Sequence, residues 1–88
     1  MLQHQFEIVN KLGLHARASA LFVKAATPFN ADVRLCLDGI EVNGKSIMGV
    51  MMLAAGKGSR VQITVEGHDE VTAMHTIGKL IQDGFGEI

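Results

Sequence analysis

The chain has 88 residues, of which 48% are hydrophobic and 19% are charged, and its formal net charge at pH 7 is −1. This balance is typical of a globular protein with one modest core, so we expect a single domain over residues 1–88. The chain has no block of basic residues, which argues against nucleic acid as a partner. No apolar run approaches the roughly 20 residues that cross a bilayer, so we expect no membrane insertion. The lone Cys36 and an N-terminus without signal-peptide features indicate a cytoplasmic protein.

The first third of the chain predicts a strand followed by a helix. Apolar and polar residues alternate over residues 2–8, which is the period of a strand with one buried face. After a turn at residues 10–13, apolar residues recur at helical spacing from Ala18 to Ala26. Pro28 should end this helix, because the residue before a proline avoids helical angles.

The middle of the chain predicts a hairpin and a short helix. Residues 32–43 alternate on both sides of Asp38-Gly39, a pair that can adopt the positive φ angles of a tight turn. Ser46 is placed as the N-cap of a short apolar helix over residues 47–55, which Gly56 should end.

The last third predicts a strand over residues 61–66 and a final helix that Asp69 can cap. Gly84 is placed just past the end of that helix. Its predicted buried stripe comprises Ala73, Met74, Ile77, Leu80 and Ile81. The resulting order, βαββαβα, favours a largely antiparallel sheet with the helices on one face, which is an α+β fold of two layers.

A histidine lies where the first strand gives way to the first helix. His15 is placed beside the backbone N–H groups of Ala16, Arg17 and Ala18, which have no intrahelical acceptor. These donors and the positive end of the helix dipole favour an anion such as phosphate, and a guanidinium can bind phosphate oxygens with two hydrogen bonds. A neutral histidine nitrogen can act as a nucleophile. These features allow phosphoryl transfer on His15, but taken alone they favour the simpler interpretation that His15 caps the helix and Arg17 solvates its surface.

Two stretches, Gly13-Leu14-His15-Ala16-Arg17 and Lys45-Ser46-Ile47-Met48-Gly49-Val50-Met51, together reverse that preference and favour phosphoryl transfer on His15. With them the chain resembles, over essentially its whole length, the HPr family of phosphocarriers of the bacterial sugar phosphotransferase system. The resemblance implies an open-faced β-sandwich of four strands and three helices. It also implies that Enzyme I phosphorylates the Nδ1 nitrogen of His15, and that IIA proteins or domains accept the phosphoryl group. We expect a monomeric carrier that is not an enzyme and needs no cofactor.

The chain departs from the family at Ala18, where the family usually has a proline three residues after the active histidine. A proline has no N–H, so Ala18 adds a donor to the first turn of the helix. This donor should either bond the ring of His15, if His15 is the N-cap, or help to hold the phosphoryl group.

By the same resemblance, Ser46 is the serine that HPr kinase/phosphorylase modifies, although capping alone would also explain a serine at this position. The short helix that follows is apolar on nearly every side, yet a helix on a sheet buries only one face. We expect Val50 and Leu53 in the core. A partner-docking surface is predicted from Ile47, Met48 and Met51, with Lys24 and Lys45 in its basic rim.

Two other functions stay open. The protein could be a regulatory phosphocarrier of the nitrogen branch, or a binding module that regulates partners through Ser46 and the short helix without carrying phosphate. His4, His68 and His75 have no cysteine or carboxylate at metal-ligand spacing, so we expect no metal site. Cys36 is interpreted as a bystander, because it has no neighbouring pattern of a nucleophile.

Overall fold

The structure of the protein, a computed structural model, describes residues 1–87. Its elements run in the order β1 (Leu2–Glu7), α1 (Ala16–Ala26), β2 (Asp32–Leu37), β3 (Ile40–Asn43), α2 (Ile47–Met52), β4 (Arg60–Glu66) and α3 (Glu70–Gln82). A short 3-10 turn over Gly84–Gly86 follows α3. The predicted element order and the α+β class are thereby confirmed.

The four strands form one antiparallel sheet in the order β1-β4-β2-β3. Inward residues of the two central strands are fully buried, whereas their neighbours Arg34 and Gln62 are exposed. The buried residues are Val33 and Leu35 of β2 and Val61, Ile63 and Val65 of β4. The helices cover this face with Phe22, Val50, Ile77 and Ile81. The result is the open-faced sandwich that the resemblance implied.

Local signals placed most of the turns correctly. Asp38 and Gly39 have φ angles of 51° and 82°, which is the left-handed pair expected of a two-residue hairpin turn. Helix α1 ends at Ala26, before Pro28. Gly84 has a φ of 64° directly after the C-terminal residues of α3, in agreement with its predicted position.

One predicted helix end is wrong, and one predicted capping bond is absent. Helix α2 ends at Met52, because Ala54 adopts a left-handed φ of 51° and turns the chain away before Gly56. Asp69 stands at the N-cap position of α3, but its side chain makes no cap hydrogen bond. Its carboxylate instead accepts from the backbone N–H groups of Asn30 and Ala31, at 2.8 Å and 2.9 Å, in the loop before β2. A tertiary contact has replaced the local one.

Candidate functional site

The turn before α1 is held against the end of the α2 segment. Gly13 has a φ of 65°, and a Cβ atom at that position would lie 2.4 Å from the carbonyl oxygen of Ala55. The next residue, Leu14, donates its N–H to the same oxygen at 2.8 Å, and its side chain is buried. These contacts fix the position from which His15 enters the helix.

His15 is the N-cap residue of α1, with extended angles of φ −75° and ψ −177°. Its carbonyl oxygen accepts from Ser19 N at 2.8 Å, but its ring makes no cap hydrogen bond. The ring therefore does not accept from the Ala18 N–H, which was one of two predicted roles for that donor. Within residues 1–87, no acceptor is found for the amides of Ala16, Arg17 and Ala18. Ala16 and Arg17 are exposed, whereas Ala18 is fully buried.

A carboxylate from the C-terminal segment completes the surroundings of the ring. Glu87 Oε2 lies 2.5 Å from His15 Nε2, and Glu87 Oε1 accepts from Asn10 Nδ2 at 3.2 Å. The buried Asn10 also donates to the Gly13 carbonyl oxygen at 2.8 Å. The Asn10 side chain thus links the turn before α1 to the side-chain carboxylate of Glu87.

Glu87 reaches the ring through three successive left-handed residues. Gly84, Phe85 and Gly86 have φ angles of 64°, 55° and 73°, and they turn the chain back after α3. The buried side chain of Phe85 anchors this turn. Sequence reasoning missed Glu87, because its contact with His15 spans 72 positions and no local motif marks it. The Gly-Phe-Gly stretch is the one sequence feature that could have indicated the reversal.

The groups around the Glu87 carboxylate stabilise its ionised form. The hydrogen bond from the His15 ring lowers the pKa of Glu87 below its usual value, against an opposing effect of partial desolvation. The hydrogen bond from Asn10 and the positive charge of Arg17 add to the lowering. Glu87 is therefore ionised at neutral pH.

The ring faces an open cleft. The side chain of His15 is 29% exposed, so a reacting group can reach it. The cleft has a volume of about 540 Å³ and combines the cations Lys11 and Arg17 with the Glu87 carboxylate. Its lining is Lys11, Leu12, His15, Arg17, Gly86 and Glu87. The structure thus brings together the predicted His15 and Arg17 on one accessible surface.

Ser46 caps helix α2, as predicted. Its Oγ accepts from Gly49 N at 3.1 Å, and the serine is half-buried. Lys45 is also half-buried, because its Nζ donates to the carbonyl oxygen of Phe29 at 2.6 Å. Lys24 is exposed in the last turn of α1. Of the two predicted rim lysines, Lys24 therefore has the more accessible charge.

The exposed apolar residues of α2 form one surface, which we call the α2 patch and define as Ile47, Met48, Met51 and Met52. Their exposed fractions are 44%, 76%, 41% and 74%. Val50 and Leu53 are buried, in agreement with the prediction that they fill the core. Met52 was not predicted in this surface, because helical periodicity alone did not show which side of so short a helix meets the sheet.

The other histidines, His4, His68 and His75, are exposed, and Cys36 is half-buried. Across residues 1–87, no three histidine, cysteine or carboxylate side chains are grouped so that they could hold a metal ion. In the same part of the chain, no helix is long and apolar enough to cross a bilayer.

Comparison with known proteins agrees with this fold. Residues 2–83 match the family described as PTS HPr component phosphorylation site. The match defines a phosphocarrier and not a catalytic enzyme. The chain belongs to the HPr family of the phosphotransferase system.

Individual relatives align over nearly the full chain. Phosphocarrier protein HPr of Cupriavidus necator is 52% identical over 87 residues, which is 99% of this chain and 98% of that protein. The crystal structure of HPr-C-His from Thermoanaerobacter tengcongensis has a TM-score of 0.96 and 43% identity, and the alignment covers 100% of this chain and 99% of that one. The HPr-like protein Crh of Bacillus subtilis is 43% identical over 83 residues, which is 94% of this chain and 98% of that protein.

Proposed function

We propose that the protein accepts a phosphoryl group on His15 from Enzyme I and passes it to IIA proteins or domains of the sugar phosphotransferase system. The observation that supports this most strongly is the accessible His15 ring at the start of α1, in a cleft that Arg17 also lines, where the amides of Ala16 and Arg17 have no acceptor within residues 1–87. A cytoplasmic monomer is the form in which such a carrier can meet several partners in turn.

The residues around the ring suit a phosphoryl group. The N–H groups of Ala16 and Arg17 and the positive end of α1 favour a dianion, and the Arg17 guanidinium can bind two phosphate oxygens at once. Lys11 adds a second cation to the cleft. Because phosphoryl transfer depends chiefly on positioning and charge neutralisation, these groups suffice without a further activating base.

The buried Ala18 narrows the proposed anion site to two amides. Its N–H has no accessible surface through which an oxygen could approach, whereas Ala16 and Arg17 are exposed. The Ala16 and Arg17 amides, together with the Arg17 guanidinium, are therefore the donors that would contact a phosphoryl group without any movement of α1. Ala18 would contribute only if the first turn opened.

The α2 patch is the proposed partner-docking surface. Helices α1 and α2 are in contact, and the bond from Leu14 N–H to the Ala55 carbonyl oxygen holds the segment after α2 against the turn before α1. Exposed apolar residues beside charged ones are typical of interaction sites, and methionines adapt to more than one partner. Lys24 and Lys45 would complement an acidic rim on the partner.

Phosphorylation of Ser46 by HPr kinase/phosphorylase would regulate that surface. A phosphate oxygen can take over the bond from Gly49 N, and the helix N-terminus favours its charge, so the helix itself should persist. The added charge would stand next to Ile47 and would repel an acidic partner. The proposed effect is therefore on docking and not on folding.

A labelling experiment tests the carrier function. Incubation with Enzyme I and labelled phosphoenolpyruvate should give acid-labile label that His15→Ala abolishes. The matched control is His75→Ala, which removes another exposed histidine and should retain the label. Label that persists in His15→Ala would refute the assignment. Absence of label from the wild type would favour a binding module, and phosphorylation only by a nitrogen-branch Enzyme I would favour that paralogue.

A further inference from the structure

We infer that Glu87 is a positioning residue, which holds His15 in the tautomer with the hydrogen on Nε2 and leaves Nδ1 bare for the phosphoryl group. This inference rests on the proposed carrier function of His15. It adds Glu87, from the C-terminal segment, to the residues of that site and assigns it one role, which is to fix the tautomer of His15.

The geometry of the pair requires one arrangement of the hydrogen. An ionised carboxylate can only accept hydrogen bonds, so a neutral imidazole that bonds to it must donate. The atoms Glu87 Oε2 and His15 Nε2 are in direct hydrogen-bond contact, 2.5 Å apart. The hydrogen of the neutral ring therefore belongs to Nε2. The other ring nitrogen, Nδ1, then has a free electron pair.

The carboxylate is held in place by more than the ring. Its second oxygen accepts from Asn10 Nδ2 at 3.2 Å, and Asn10 is only 2% exposed. Glu87 itself is screened from water, with a side chain that is 13% exposed. The buried Phe85 fixes the turn from which Glu87 extends. A side chain tied at both oxygens and at its backbone turn can set the orientation of its partner.

This arrangement makes the transfer step independent of proton movement. In the forward step the Nδ1 electron pair forms the bond to phosphorus, while the bond to the donor's leaving atom breaks and its electron pair stays with the donor. The ring becomes positively charged, retains its hydrogen on Nε2, and is neutralised by Glu87. In the onward step the bond between Nδ1 and phosphorus breaks, its electron pair returns to Nδ1, and a neutral imidazole is released. Without the Nε2 hydrogen the leaving group would be an imidazolate anion, which leaves far less readily.

The position of the carboxylate suits both steps. It contacts Nε2, and the two ring nitrogens point in different directions, so it does not occupy the place of the incoming phosphoryl group. Arg17 and Lys11 line the same cleft and offset the repulsion between the carboxylate and an arriving dianion. The two cations thus stabilise the phosphoryl group, while Glu87 orients the ring.

Nitrogen NMR of the neutral His15 ring measures the ratio of its two tautomers directly, in wild type and in Glu87→Ala. The wild type should be almost wholly the Nε2–H tautomer. Loss of a charge-assisted hydrogen bond should shift the tautomer ratio in Glu87→Ala by about tenfold toward Nδ1–H. The matched control is Glu66→Ala, which removes an exposed carboxylate at the far end of β4 and should retain the wild-type ratio. A merely structural contribution of Glu87 would not move this ratio.

The rate of phosphorylation by Enzyme I provides the second readout. Glu87→Ala should be phosphorylated more slowly than wild type and Glu66→Ala, while its backbone amide spectrum shows α1 intact. A wild-type tautomer ratio in Glu87→Ala would overturn the inference, and so would an unchanged rate. Failure of the wild type to accept label would instead overturn the proposed function, because the tautomer measurement needs no Enzyme I.

Discussion

The backbone N–H of Leu14 donates to the carbonyl oxygen of Ala55 at 2.8 Å, and this bond ties the turn before α1 to the segment after α2. Ala55 is buried and directly follows Ala54, which has a left-handed φ of 51°. The position of the start of α1 therefore depends on the segment after α2. A substitution on either side of this bond should change the position of His15.

Gly13→Ala should be strongly destabilising. A Cβ atom there would lie 2.4 Å from the backbone oxygen of Ala55, and a φ of 65° is already unfavourable for alanine. The combined clash and strain should lower the free energy of unfolding by at least about 2 kcal/mol in urea titrations. Gly56→Ala is the control, because a Cβ atom at Gly56 meets nothing within 4 Å and should leave stability almost unchanged. Equal effects of the two substitutions would contradict the close approach.

Asp69 should make the stability of the fold depend on pH in the acidic range. The backbone N–H of Asn30 lowers the pKa of Asp69 below its usual value of 3.8, the N–H of Ala31 adds to this, and partial desolvation opposes it. A lowered pKa in the folded state means that the stabilisation is complete above the usual value and is lost as the pH falls through the lowered one. Asp69→Asn should therefore unfold at lower urea concentration than wild type at pH 7. The difference should shrink steadily below about pH 4.

The control for that experiment is Asp83→Asn, which changes an exposed carboxylate at the end of α3. It should follow the wild-type urea midpoint at every pH. A gap between Asp69→Asn and wild type that stays constant from pH 7 to the lowest pH reached would show that the carboxylate charge is not what holds the loop.

Local signals were sufficient for some parts of the site and insufficient for others. His15 and Ser46 could be placed from sequence because an N-cap position is marked by its immediate neighbours. Asp69 has the same local signature, yet its carboxylate bonds to Asn30 and Ala31, which are 39 and 38 positions away. Glu87 likewise acquires its partner only when the 3-10 turn folds back on α1. Contacts between distant residues form only in the assembled fold. The sequence neighbours of Asp69 and Glu87 therefore do not reveal these contacts.

Ala18→Pro should leave phosphoryl transfer nearly unchanged. The Ala18 N–H does not bond the His15 ring, and the residue is fully buried, so a proline removes a donor that has no partner within the described residues. We expect the phosphorylation rate and the lifetime of the phosphorylated form to stay within about twofold of wild type, which corresponds to less than the free energy of one hydrogen bond. Quench-flow labelling with Enzyme I measures both. A fall of about tenfold in either quantity would show that the first turn opens and uses this amide.

Met48→Glu should weaken docking without weakening the fold. Met48 is 76% exposed, so its replacement removes little buried surface, but it places a carboxylate within the α2 patch. For an interface residue of ordinary importance we expect KM for Enzyme I to rise about tenfold, with kcat and the urea midpoint close to wild type. Val71→Glu is the matched control, because Val71 is an exposed apolar residue at the start of α3 and should leave KM unaltered. Equal KM values for wild type, Met48→Glu and Val71→Glu would show that the α2 patch is not part of the docking surface.

Ser46 allows its two proposed roles to be separated by a pair of substitutions. Ser46→Ala removes the acceptor for Gly49 N and should lower the free energy of unfolding by about 1 kcal/mol, while docking persists. Ser46→Asp retains a side-chain acceptor that is equally good at an N-cap, so its stability should stay near that of wild type. Its added negative charge beside Ile47 should nevertheless raise KM for an acidic partner. Urea unfolding and transfer kinetics on the same samples give both values. If Ser46→Asp docked like wild type while Ser46→Ala was destabilised, the serine would be a helix cap and nothing more.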